Sequence, residues 1–147
     1  MIESRIEQDL KSAMLARDTV KVSTLRGIKS VFLYAKVDAG TRDKELDDEV
    51  AIKLLQKEAK KREESAALYS QGGEADRANQ EIQEKQIIDT YLPTKINEAE
   101  LTLIVDKVIN DSPEANIGQI IGQIKSQTVG SADGSDIARI VKARLDR

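Results

Sequence analysis

From Asp47 to Gln71 the chain carries neither glycine nor proline, and Ile52, Leu55, Ala59, Arg62, Ala66 and Tyr69 recur three and four positions apart. That spacing is one face of an α-helix, and a strand of this length would need an alternation the stretch does not have. Asp47, Asp48 and Glu49 open it, where acids complement the positive end of a helix dipole, and Gly72-Gly73 closes it. A guanidinium at position 62 interrupts the seam and predicts a partner acid across a helix-helix contact, with Glu81, Glu84 and Asp89 as candidates.

The remaining segments follow the same period. Ile2, Ile6, Leu10, Ala13 and Met14 share a face over residues near 2 to 17, and Leu25, Ile28, Phe32, Ala35 and Ala39 define a second seam that ends at Gly40. A polar loop from Gly40 to Asp47 reverses the chain. A fourth segment, about Glu74 to Leu92, turns Ala78, Ile82, Ile88 and Leu92 inward and offers Glu81 to Lys85 as an i,i+4 pair. No window shows strand alternation, no repeat of fixed period occurs, and the predicted class is all-α.

Pro93 sets a boundary. It lacks the donor a continuing helix requires and biases Leu92 away from the α region. Asn97 then stands at an N-cap position with Glu100 at N3, a capping-box arrangement ahead of Leu101, Ile104 and Val105. Three shorter helices follow: one around 101–109, one carrying Ile117, Ile120, Ile121 and Ile124, and one carrying Ile137, Ile140, Val141 and Leu145. Asn116 is the expected cap of the second, and Asp133 or Ser135 that of the third. The expected organisation is an N-terminal lobe over 1–92, of about four helices with one long one, and a three-helix C-terminal lobe over 93–147.

Composition narrows the chemistry. The 147 residues are 39% hydrophobic with only Phe32, Tyr34, Tyr69 and Tyr91 aromatic, so the core must be aliphatic and alanine-rich. Neither cysteine nor histidine is present, which removes thiolate chemistry, the usual general base near neutral pH and the commonest transition-metal ligands. A Ser-His-acid triad is impossible, no G-x-S-x-G elbow occurs, and neither the Gly118–Gly122 stretch nor the turn at Gly130 supplies a Walker loop. Acid pairs such as Asp47/Asp48 read as helix-dipole partners rather than as a Mg²⁺ site. The sequence predicts no catalytic residue, no cofactor and no metal. An acid-bearing amphipathic start and the lack of any apolar run near the ~20 residues needed to span a bilayer predict a cytoplasmic chain without a membrane partner.

Candidate binding residues lie in the C-terminal lobe. Gly118 and Gly122 fall four apart on the isoleucine helix, suiting tight packing within the lobe or close approach of a partner such as RNA backbone. Arg139, Lys142, Arg144 and Arg147 crowd the last helix, where cations also suit the dipole, and Lys125 lies on the helix before. A second basic run, Lys53, Lys57, Lys60, Lys61 and Arg62, is interleaved with Glu58, Glu63 and Glu64 and reads as a solvated mixed-charge face. Arg26, beside Leu25, is an architectural or partner candidate like Arg62. A net charge of −3 and few aromatics restrict any RNA contact to backbone and shape.

Several short stretches in order carry a resemblance: Thr24-Leu25-Arg26, Lys60 through Ser65, Tyr91-Leu92-Pro93, and Ile117-Gly118 to Gly122 leading into Gly130-Ser131-Ala132-Asp133-Gly134 and Val141-Lys142. The chain resembles the YqeY-like family, related to the C-terminal tail domain of the B subunit of aspartyl/glutamyl-tRNA amidotransferase. It departs from the family pattern at Gly72-Gly73-Glu74-Ala75-Asp76-Arg77-Ala78, where an expected arginine is acidic and an expected leucine basic. The resemblance implies a helical protein tied to machinery that uses glutamine as amide donor on misacylated tRNA. The family's carbon-nitrogen ligase label is inherited by homology, since phosphorylation and amide transfer reside outside the tail. The expected function is a non-catalytic adaptor for tRNA, or for an aminoacyl-tRNA/amidotransferase complex, through Gly118, Gly122, Lys125, Arg139, Lys142 and Arg144. The alternative is a protein-protein module that binds no RNA.

Overall fold

The computed structural model describes residues 1–146, which hold seven α-helices and no strand. They are α1 (Ile2–Ala16), α2 (Thr19–Asp38), α3 (Asp48–Gln71), α4 (Ala75–Asp89), α5 (Glu98–Asp111), α6 (Ile117–Gln127) and α7 (Gly134–Leu145). The chain divides into two compact units, Met1–Leu92 and Pro93–Arg147. Within these bounds no helix is long and apolar enough to cross a membrane, among the described residues.

In the first unit, Ile6, Leu10, Leu25, Ile28, Phe32, Leu55 and Ile88 form one core, joined by Ala51, Ala59 and Tyr91. The alanines on α3 let neighbouring helices come close, so the aliphatic side chains interlock without many aromatics. Between α1 and α2 the chain turns at Arg17, whose φ of 56° is a left-handed conformation more often taken by glycine. Asp18 then caps α2 by accepting a hydrogen bond from Lys21 N at 3.1 Å.

The loop before α3 is pinned rather than free. Leu46 is buried in the core, and Glu3 Oε2 accepts a 2.6 Å hydrogen bond from its backbone N while Glu3 Oε1 accepts one from Lys36 Nζ at 2.7 Å. Burial pushes the Glu3 carboxyl up, but the bonds from Lys36 and Leu46 outweigh it and hold the group below its ordinary value. Asp48 Oδ1 accepts from Ile2 N at 2.8 Å, and Ser4 Oγ donates to Glu45. The start of α1 and the loop are one hydrogen-bonded cluster.

Among the described helices, α3 and α4 pack most extensively on each other. Arg62 Nε lies 3.2 Å from Glu84 Oε2 and 3.9 Å from Glu81 Oε2, so two of the three expected acids flank the guanidinium. The third, Asp89, pairs instead with Lys85 at 2.7 Å, and the expected Glu81–Lys85 pair does not form because Glu81 faces Arg62. This rotation also corrects Ile82: the inward line of α4 runs through Ala78, Glu81, Glu84 and Ile88, leaving Ile82 exposed. In the linking turn Gly73 takes a φ of 77°, and Arg77, within the segment that departs from the family pattern, stacks its guanidinium over Tyr69 at 5.8 Å.

Other apolar positions at helix ends are solvent-facing as well. Met14 and Leu145 each lie in a final turn, and Ile117 lies in the first turn of α6. Ala39, expected inside, is exposed just past the end of α2.

In the second unit Leu101, Val105 and Val108 from α5 pack against Ile120 and Ile124 from α6 and Ile137, Ile140 and Val141 from α7. Asn97 caps α5, its Oδ1 accepting from Glu100 N at 2.8 Å, while the reciprocal bond from the Glu100 side chain is absent. The complete box occurs at α6: Asn116 Oδ1 accepts from Gln119 N at 2.9 Å, and Gln119 Oε1 accepts from Asn116 N at 3.0 Å. Asp133 holds the cap position of α7 without a side-chain bond there. Ile96 N donates to Ser131 O at 2.9 Å and ties the entry of the unit to the α6–α7 turn.

Candidate functional site

Two of the C-terminal candidates, Arg139 and Arg144, are engaged by acids of their own unit. Arg139 Nη1 donates to Glu98 Oε1 at 3.0 Å, with Asp136 3.7 Å away, and the bond to Glu98 raises its already high pKa. Arg144 makes a fork on Asp106, with Nε 3.0 Å from Oδ1 and Nη2 donating to Oδ2 at 3.1 Å. Both guanidinium groups therefore clamp α7 to α5. These long-range partners on α5 are what local reading missed. Arg147 lies outside the described residues.

Lys125 and Lys142 are exposed and make no ion pair among the described residues. Gly134, at the start of α7, makes room for Lys125: a Cβ there would stand 3.2 Å from Lys125 Cε. Gly118 and Gly122 are exposed on α6. A Cβ at Gly122 would meet nothing within 4 Å, and one at Gly118 would meet only the capping Asn116 Oδ1 at 3.4 Å. The tight internal packing considered for these glycines is therefore absent, because the inward line of α6 is Ile120 and Ile124. Spaced at i, i+4 and i+7, Gly118, Gly122 and Lys125 line one outward strip of the helix.

In the first unit Arg62 is engaged by α4, as described, whereas Arg26 is exposed on α2 without an ion pair among the described residues. Lys53 and Lys61 pair with Glu49 and Glu58 on their own helix, at 3.9 and 3.2 Å.

One tyrosine stands apart. Tyr91 is buried, its hydroxyl donates to Asp9 Oδ2 at 2.5 Å, and Arg5 lies 4.7 Å over its ring while donating to Thr90 O at 2.9 Å. Burial first, and the bond to Asp9 second, push the phenol well above its usual range. A buried phenol that holds its proton this firmly fastens α1 to the end of α4. Among the described residues no three acidic side chains gather in a way that could hold a metal ion. A shallow surface depression of about 670 Å³ is lined by Asp111, Ser112, Glu114, Gln119 and Gln123, an acidic and amide rim unsuited to phosphate.

The family model described as Yqey-like protein matches residues 3–145, nearly the whole chain. The chain belongs to this family. Among curated proteins, the YqeY-like chain is similar to altered inheritance of mitochondria protein 41, mitochondrial, from three yeasts. It is 29% identical over 84% of its length and 69% of the relative in Kluyveromyces lactis. The figures are 32%, 74% and 59% in Vanderwaltozyma polyspora, and 30%, 87% and 76% in Clavispora lusitaniae. The chain thus spans about 59 to 76% of these relatives. Their names overturn the cytoplasmic expectation: all three relatives are named as mitochondrial proteins. An acidic amphipathic first helix carries no information about location and was a poor guide.

Proposed function

We propose that this YqeY-like protein is a non-catalytic helical adaptor in mitochondria, whose second unit holds tRNA alone or within an aminoacyl-tRNA/amidotransferase complex. The observation that carries the reading is the open strip of α6, where Gly118 and Gly122 leave the backbone approachable and Lys125 follows in line. Lys142 on α7 supplies a second cation without an ion pair among the described residues. Contacts of this kind position a phosphate backbone without reading bases. The amide-transfer chemistry belongs to the partner enzyme, since the chain has no histidine, no cysteine and no acid cluster fit for a metal among the described residues.

With two free lysines the binding is weak and of modest salt dependence. At about 0.7–0.9 counterions per contact, affinity falls roughly tenfold between about 50 and about 200 mM salt. Titration of labelled tRNA is the test: a Lys125→Glu, Lys142→Glu double variant loses binding while keeping its helicity. Unchanged binding in that variant rejects the surface.

A second reading is a protein-protein adaptor that touches no RNA. It is favoured by the charge of the residues from 93 to 147, seven basic against eight acidic, and by Leu103, which is 71% exposed on α5. Partners retained after ribonuclease treatment, with no tRNA shift at low salt, decide for it.

A further inference from the structure

The outward face of α2 carries Arg26, Gly27, Ser30, Leu33, Tyr34 and Val37, flanked by the exposed Lys29, in a chain that is 33% charged. Leu33, Tyr34 and Val37 are 46%, 73% and 51% exposed, and Arg26 is the one charged side chain among the six. A Cβ at Gly27 would meet nothing within 4 Å. We propose that this face is a homodimer interface, on which a second copy of the chain packs its own α2 antiparallel, crossing near Ser30.

The order of side chains selects that occupant. The N-terminal half of the face sets the small Ser23 and Gly27 beside Arg26, and the C-terminal half is large, with Leu33, Tyr34 and Val37. An antiparallel copy sets Leu33 and Val37 of one helix on Gly27 and Ser23 of the other, and the two-fold repeats the same fit at both ends. A parallel copy instead sets Tyr34 on Tyr34 and brings the two Arg26 charges together. In the antiparallel arrangement Arg26 reaches the face of the second copy's Tyr34, which gives an otherwise unpaired guanidinium a cation–π partner. One helix pair buries less than the ~1,200 Å² of a standard stable interface, so the dimer is concentration-dependent.

The chain has no cysteine, so a single introduced thiol reports the geometry directly. Under mild oxidation Ser30→Cys, at the crossing point, yields a disulfide-linked dimer at least ~10 times faster than Ser23→Cys on the same face, whose sulfurs stand about 21 Å apart along the axis in the antiparallel pair. Ser12→Cys, exposed on α1, sets the rate of random collision. In sedimentation runs the unmodified protein shifts from monomer towards dimer as concentration rises. Tyr34→Lys, an exposed change that leaves the helical signal intact, weakens the dimer at least ~10-fold by opposing Arg26 with a like charge. A monomer at every concentration, or equal cross-linking through positions 23 and 30, overturns the proposal.

Discussion

The hydroxyl of Tyr91, two residues before Pro93, donates to Asp9 on the first helix at 2.5 Å. The bond spans 82 positions of sequence and closes the first unit on itself at the boundary residue. Tyr91→Phe keeps the ring beneath Arg5 and removes only the donor. Its expected cost is about 1 kcal/mol, or ~4–8 °C in the melting temperature of a unit this size, read by thermal unfolding.

The same phenol sets an alkaline limit. Its folded pKa is raised, by burial first and Asp9 second, so above the ordinary tyrosine value near ~10 the unfolded chain releases a proton that the folded chain retains. This contribution is complete below pH ~10 and declines as pH climbs beyond it. Urea midpoints measured from pH 8 to 11 fall more steeply in the wild type than in Tyr91→Phe; identical slopes refute the assignment.

Glu3 sets the opposite limit. Its folded pKa is depressed, so its contribution is present above the unfolded carboxylate value near ~4.3 and disappears as pH drops through the folded value. Glu3→Gln removes the charge from both hydrogen bonds and is expected to cost about 1–3 kcal/mol at pH 7, with a much smaller penalty near pH 3. Chemical denaturation at the two pH values checks both numbers.

Arg62 stands against two carboxylates that are mostly withdrawn from solvent, and removing it leaves them facing each other. Arg62→Ala is expected to destabilise by about 2–3 kcal/mol, less than a fully buried pair because the guanidinium is partly solvated. A double-mutant cycle with Glu84→Ala gives a coupling of about 1 kcal/mol or more, and additivity contradicts the pairing.

Asn116 and Asn97 compare a full capping box with a half one. Either asparagine-to-alanine change costs about 1 kcal/mol. Because the return bond runs from Asn116 backbone N to Gln119 Oε1, it is Gln119→Ala that removes it, at a greater cost than Glu100→Ala, which removes no such bond. Calorimetry on Gln119→Ala and Glu100→Ala ranks the two.

Local patterns were the readable part of this sequence. Period and caps placed the helices, and the charge at Arg62 in an apolar seam announced acids on the next helix. What local patterns could not show were contacts closed by tertiary packing: Glu3 binding Leu46 N across 43 positions, and Arg139 and Arg144 reaching Glu98 and Asp106 across 41 and 38. A basic helix in sequence looks like a phosphate surface until its counter-charges arrive from a distant element. The open glycines of α6 show the converse, since a spacing that suits packing inside a unit serves an outward face equally well.

The ion pairs on α7 imply a competition. Any polyanion that recruits Arg139 or Arg144 must first displace Glu98 or Asp106, so occupancy of those groups loosens the three-helix unit that presents them. Tight capture there would come at the expense of the scaffold, so under the proposed function a light, quickly reversible grip is the expected regime.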